Sequence, residues 1–195
     1  MVARHVVLLF GGLPIMRAEI VTPTKNSPTH DLLPEANGVS YDLKAVIAER
    51  GLLTAAAATI AGARITPLRC GLAVMPMTDD LFAVVGTPKG DCVPGFWRLP
   101  AGFDEVLSSW SKAGPVAFVE SEYFGGVGEE NAAVWSAGQL ALGPLHMTED
   151  DAEPATGTPV VRALHALGIR ASASEDEFQV AGLGEHRNWE DRPAV

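Results

Sequence analysis

Apolar positions recur at helical spacing in two places with clear end signals. In Gly102–Lys112, Phe103, Val106, Leu107 and Trp110 stand at offsets of 3, 4 and 7, and Gly114 lies just past the end. In Thr158–Leu167 a threonine sits at the cap and Pro159 at the first helical position. Val160, Val161, Leu164 and Leu167 form the stripe there, and Gly168 closes it. Three further helices are expected from weaker patterns. Ser40 caps Tyr41–Arg50, with Leu43, Val46 and Ile47 on one face and Gly51 as the stop. Thr54–Ala61 is an alanine-rich turn or two. Thr78, followed by Asp79 and Asp80 at the positive dipole end, opens a short helix that ends at Gly86. Strands are expected over Ala3–Phe10, Ile65–Leu68, Leu72–Met75, Val116–Tyr123, Ala132–Ser136 and Gln139–Leu142, the last two joined across Ala137-Gly138 as a hairpin. The interleaving lacks a strict strand–helix–strand rhythm. It predicts an α+β fold, a mixed sheet of about five or six strands with helices packed on at least one face.

Two connections punctuate the chain. Thr22–Asn37 carries Pro23, Pro28 and Pro34, and Thr148–Thr158 is acidic with Pro154 and Gly157. Neither is long enough for a domain linker, so residues 1–195 are read as a single α+β domain. Residues 1–60 match the rest poorly and stand as a possible separate N-terminal segment. The apolar start, MVARHVVLLFGGLPIM, is broken by Gly11-Gly12 and Pro14 and lacks a small-x-small cleavage site. It is read as a strand, and the protein as cytoplasmic. No apolar run reaches the length of a membrane span.

Composition adds one fact the pattern does not. With 24 acids against 14 bases the net charge is −10, and it is all in the last two-fifths. Residues 1–114 hold ten acids and ten bases; residues 115–195 hold fourteen acids and four bases, Arg162, Arg170, Arg187 and Arg192. A nucleic-acid partner is disfavoured, because little here would neutralise phosphates. If Glu120/Glu122, Glu129/Glu130 and Glu149-Asp150-Asp151 gather on one face, they attract cations; if scattered, they only keep the surface soluble. Two cysteines exclude a disulfide scaffold and a four-cysteine zinc site.

Candidate chemistry concentrates in Val116–Trp135. Strand alternation puts Val116, Phe118, Glu120 and Glu122 on one face. Two carboxylates so placed bind a divalent metal with a further ligand such as His146 or His186, act as acid and base, or are simply solvated where the strand leaves the core. Gly125, Gly126 and Gly128 allow a nest of N–H groups, but no Lys or Ser/Thr follows and the surrounding carboxylates repel anions, so phosphate binding is not expected. No HExxH, GxSxG or zinc-spaced Cys/His set occurs, and no cofactor is implied. In Asp91–Gly102, Phe96 and Trp97 are either core plugs or a binding rim, and Arg98 is free to pair with an acid. Trp189, among tail charges, either docks back or meets a partner.

Leu72–Phe82, Pro94–Phe103, Val116–Trp135 and Arg162–Ile169 together resemble a small, uncharacterised bacterial protein family with an aromatic–Gly-Gly turn between two strands. The resemblance runs from about Leu72 onward, implies a shared fold and transfers no activity. Two functional readings follow from the residues. The first is a non-enzymatic acidic binding protein of the inhibitor, immunity or assembly-subunit kind, facing a cationic protein through Tyr123, Phe124, Glu129, Glu130 and Trp189. The second is a small metal-dependent enzyme built on Glu120, Glu122 and His146. A homo-oligomer joined through the hairpin 132–142 is a third possibility.

Overall fold

The computed structural model describes residues 40–124, 127–185 and 189. The chain divides into units 1–36 and 37–195, and the fold reported is that of the second. The strand expected over Ala3–Phe10 lies outside the described residues, as does the connection Thr22–Asn37.

Six strands form one sheet, β1 (Ser40–Glu49), β2 (Thr66–Pro67), β3 (Leu72–Pro76), β4 (Val116–Phe124), β5 (Val127–Ser136) and β6 (Gln139–Thr148). Their order is β2-β3-β1-β4-β5-β6, and every ladder is antiparallel. The helices are α1 (Arg50–Ala57), α2 (Asp79–Val85), α3 (Phe103–Trp110), α4 (Pro159–Ala166) and α5 (Glu177–Ala181), followed by a 3-10 turn at Leu183–Glu185. The α+β class and the strand number agree with expectation, and helices cover both faces of the sheet.

Each face has its own core. On one, Leu43, Ala45, Ile47, Val119 and Val134 pack under Val160, Ala163 and Leu164 of α4, with Leu183 and Trp189 completing the layer. On the other, Val46, Phe118, Ala133 and Trp135 meet Leu53, Leu81, Phe103 and Leu107 from α1, α2 and α3. The loop 91–102 plugs the gap in that second layer. Phe96 packs edge-on against Phe118 with centroids 5.6 Å apart, and Leu99 is fully buried.

The largest correction is β1. The predicted helix Tyr41–Arg50 is a strand as far as Glu49, since Ala45 through Ala48 are all fully buried and both faces are covered. A central strand of that kind reads as an unbroken apolar run, which periodicity cannot separate from a helix. The helical stretch begins where the predicted one ended. Glu49 caps α1 by accepting from the Leu52 N–H at 2.8 Å, and Gly51 lies inside the first turn. The alanine-rich helix therefore starts four residues before the expected Thr54. Elsewhere Thr78 and Thr158 cap α2 and α4 as their patterns require. The sheet edge β6 runs six residues further than expected, through Pro144 to Thr148. Helix α5, too short to leave a periodic stripe, was not anticipated.

Candidate functional site

Toward one end of β1, β4, β5 and β6 the second face of the sheet carries polar rows. Register dictates the first. Lys44 stands opposite Glu120, Glu120 opposite Asn131, and Asn131 opposite His146. Directly opposed residues share a face, so four side chains from four strands lie in line. Glu120 is fully buried in this row. Its Oε1 accepts from the Arg98 N–H at 2.6 Å and the Trp97 N–H at 3.0 Å; its Oε2 accepts from Trp97 N–H and Asn131 Nδ2, each at 2.9 Å. Burial raises its pKa, and these hydrogen bonds together with the Lys44 charge pull against that rise without cancelling it. The carboxylate is thus a bracket that fastens the loop 91–102 to the sheet.

The bracket also orients an imidazole. Because Asn131 gives its amide N–H to Glu120, its carbonyl oxygen faces His146, whose Nδ1 lies 2.8 Å away. Nδ1–H therefore donates to Oδ1 from an exposed side chain.

A second row lies one step nearer the sheet end. Asp42 opposes Glu122 and Glu122 opposes Glu129. Lys44 reaches into this row, 2.6 Å from Asp42 and 3.0 Å from Glu122. Burial works against the ammonium, yet the bonds to both carboxylates hold its pKa above the ordinary lysine value. Glu129 has no cation of its own among the described ion pairs. Beside the row is a groove of about 480 Å³. Trp97, Phe124 and Val127 form its apolar walls, while Glu122, Glu129 and Glu149 supply charge. Phe124 is 71% exposed and Val127 57%, side by side at the end of the β4–β5 hairpin.

The predicted site residues are thus sorted into different roles. Phe124 and Glu129 share the groove. Tyr123 turns to the opposite face, lies against Gly128 and donates its hydroxyl to Glu130 Oε1 at 3.2 Å. Glu130 is only 3% exposed. Its other oxygen accepts from the Val160 N–H in the first turn of α4 at 3.1 Å. Burial raises its pKa against bonds from Thr158, Val160 and Tyr123. Glu130 is accordingly a corrected assignment, a brace for α4 rather than a surface group. Trp189 is corrected likewise. At 1% exposure it docks into the α4 layer and bonds Tyr41, leaving no face for a partner.

The metal set does not assemble. Glu120 is committed to backbone N–H groups, Glu122 to Lys44, and Asn131 stands between Glu120 and His146. Among the described residues no group of three or more His, Cys, Asp or Glu is placed to hold an ion. His186, Gly125 and Gly126 lie outside the described residues. The loop splits its aromatics between the two roles, since Phe96 is a plug and Trp97 a groove wall. Arg98 pairs with Asp79 and stacks 4.6 Å over the Phe82 ring, away from the acidic rows. Sequence reasoning missed Val127 as a groove residue. Glu149 was visible only as part of an acidic run, and Val127 only as one residue of the glycine-rich turn. No described helix is long and apolar enough to cross a membrane. Comparison with protein-family models, with curated proteins and with solved structures finds no match.

Proposed function

We propose that this chain is a non-enzymatic binding protein that takes a cationic protein surface at the groove beside the β4–β5 hairpin. One observation carries the reading. Glu122 and Glu129 are directly opposed, with Asp42 next in line, beside two exposed apolar side chains, Phe124 and Val127. Like charges placed opposite one another weaken a sheet, so a fold under selection for stability alone has no use for them. A partner's Lys or Arg entering the row removes that repulsion, and Phe124 with Trp97 supplies the apolar anchor that charge alone does not. Electrostatics here sets the rate of encounter and the choice of partner; the aromatics set residence time.

The test is cross-linking and co-purification of the tagged full chain at low and high ionic strength, repeated with Phe124→Ser and Glu129→Gln. Phe124→Ser should lower partner recovery by about tenfold at either ionic strength, as loss of a hot-spot aromatic does. Glu129→Gln should chiefly weaken the salt dependence. Recovery indifferent to both salt and Phe124→Ser would remove the proposal.

A further inference from the structure

The two ends of the sheet are finished differently. At one end β2 is two residues long and ends in Pro67, so it offers almost no free ladder. At the other, β6 runs ten residues, QLALGPLHMT, with neither an acid nor a lysine or arginine, and no described strand pairs with its outer side. Pro144 interrupts the donors in its second half. Its first half, Gln139–Leu142, has no proline and carries one extra residue, Ala141, between the Trp135–Leu140 and Val134–Leu142 pairs; Leu140 is 49% exposed. A long uncharged edge is a template for another strand unless something blunts it.

The surface beside that first half is lined by cations and by no acid. A slot of about 340 Å³ runs along it, lined by Ala141 and Leu142 of β6 and by Thr156, Arg162, His165 and Arg170. Arg162 and Arg170 are the only cations of residues 115–195 that fall among the described residues. Neither has a carboxylate within ion-pair distance there, and His165 is turned to Glu177 at 2.7 Å. The Arg170 guanidinium is fixed from behind by the His165 and Ile169 carbonyls, at 2.7 and 2.6 Å. In a chain of net charge −10, two late arginines thus have no acid within ion-pair distance among the described residues, beside a strand edge that no described strand covers.

We infer that the outer edge of β6 accepts an extended peptide segment bearing a carboxylate, which adds as a further strand and sets that carboxylate in the Arg162/Arg170 slot. Main-chain pairing supplies affinity and the arginines supply selectivity, the usual division of labour in strand addition. A second copy of this chain does not fit as the occupant. Twofold pairing of β6 with itself sets the Arg162/Arg170 patch of one copy beside the same patch of the other. This surface lies on a different strand from the acidic groove and prefers the opposite charge, so each can fail alone.

The probe is a synthetic array of fluorescein-labelled ten-residue peptides. Thr and Val alternate in each, with one variable position carrying Glu in one set and Gln in a matched set. Binding to the full-length chain is read by fluorescence anisotropy, with Leu140→Lys and the double variant Arg162→Gln/Arg170→Gln alongside. The wild type should bind the best Glu peptide about tenfold more tightly than its Gln twin, as expected of a charge-assisted pair. The double variant should bind the two equally, and Leu140→Lys should weaken both. Overturning results are failure of every peptide to bind, no Glu preference in the wild type, or a preference that survives in the double variant. A peptide-independent dimer whose formation Leu140→Lys abolishes would also overturn it, since the edge would then belong to a second copy.

Discussion

Glu120 shows how one buried charge sets the positions of groups on three segments. Replacing it by Gln keeps an oxygen for the Trp97 and Arg98 N–H groups but turns an amide toward the Asn131 amide. Asn131 must then flip, which offers N–H to His146 and moves the imidazole proton from Nδ1 to Nε2. Nitrogen NMR of the His146 ring should report that exchange; an unchanged tautomer in Glu120→Gln would refute the relay. Glu120→Ala leaves the loop N–H groups and Asn131 unmet and should cost about 1–3 kcal/mol in urea denaturation. The pH dependence has a definite sign. Glu120 and Glu130 are held above the ordinary glutamate value of 4.5, so across that window the folded chain binds more protons than the unfolded one. Their contribution is greatest below 4.5 and is lost as pH rises through the raised values. Glu120→Gln should therefore gain on the wild type as pH climbs from about 4 to 8. A second residue makes a simpler test. Ser121 is fully buried, and its hydroxyl has no partner among the described residues. Ser121→Ala should raise stability by about 1 kcal/mol, because it deletes an unsatisfied polar group at little cost in volume.

At the scale of elements, the hairpin β4–β5 depends on a glycine packed under an aromatic ring. Tyr123 opposes Gly128, and a Cβ built on Gly128 falls 2.2 Å from the tyrosine ring and 2.6 Å from the Glu122 carbonyl. Gly128→Ala must push the ring aside and break the Tyr123–Glu130 bond. A loss of about 1–3 kcal/mol is expected, with α4 loosened through Glu130. Hydrogen exchange in the first turn of α4 would show it; unchanged protection there would separate the hairpin from the helix. What was legible beforehand divides along the same line. Elements with chemical punctuation were readable, such as α2 from Thr78 and α4 from Thr158-Pro159, because caps act within four residues. The face shared by Glu120 and Glu122 was readable from alternation. What those carboxylates touch was not, because Asn131, Trp97 and Lys44 reach them only through strand register and a loop fold. β1 was misread for a related reason. A strand covered on both sides loses the alternation that identifies half-buried ones, and Leu43, Val46 and Ile47 then coincide with a helical stripe. The burial of Trp189 and Glu130 was equally invisible, since both depend on α4 packing across the sheet.

Over the whole molecule, charge is ordered by place more than by total. The acids of the late sequence reach the sheet end on both faces, with Glu122, Glu129 and Glu149 at the groove and Glu130 and Glu153 at a cavity on the far side. The two described late arginines sit apart, along β6. Such an arrangement stores repulsion in the fold, and salt should release it. Opposed strand residues are about 5 Å apart, so the Asp42–Glu122–Glu129 row is screened only when the Debye length falls to that scale, toward 1 M salt. Lys44, whose side chain is 12% exposed, is shielded from ions and keeps most of its attraction. Raising sodium chloride from about 0.05 to 1 M should then stabilise the chain against urea by about 1 kcal/mol. Glu129→Gln should lose most of that gain, because Lys44 already bridges Asp42 and Glu122 and the Glu122–Glu129 pair is the one left unbridged. The same salt should weaken capture of a cationic partner. Stability and association thus move in opposite directions along one variable, which a merely soluble acidic surface does not require. Stability that falls with salt, or a full gain retained in Glu129→Gln, would show that the row stores no repulsion and has none to surrender to a partner.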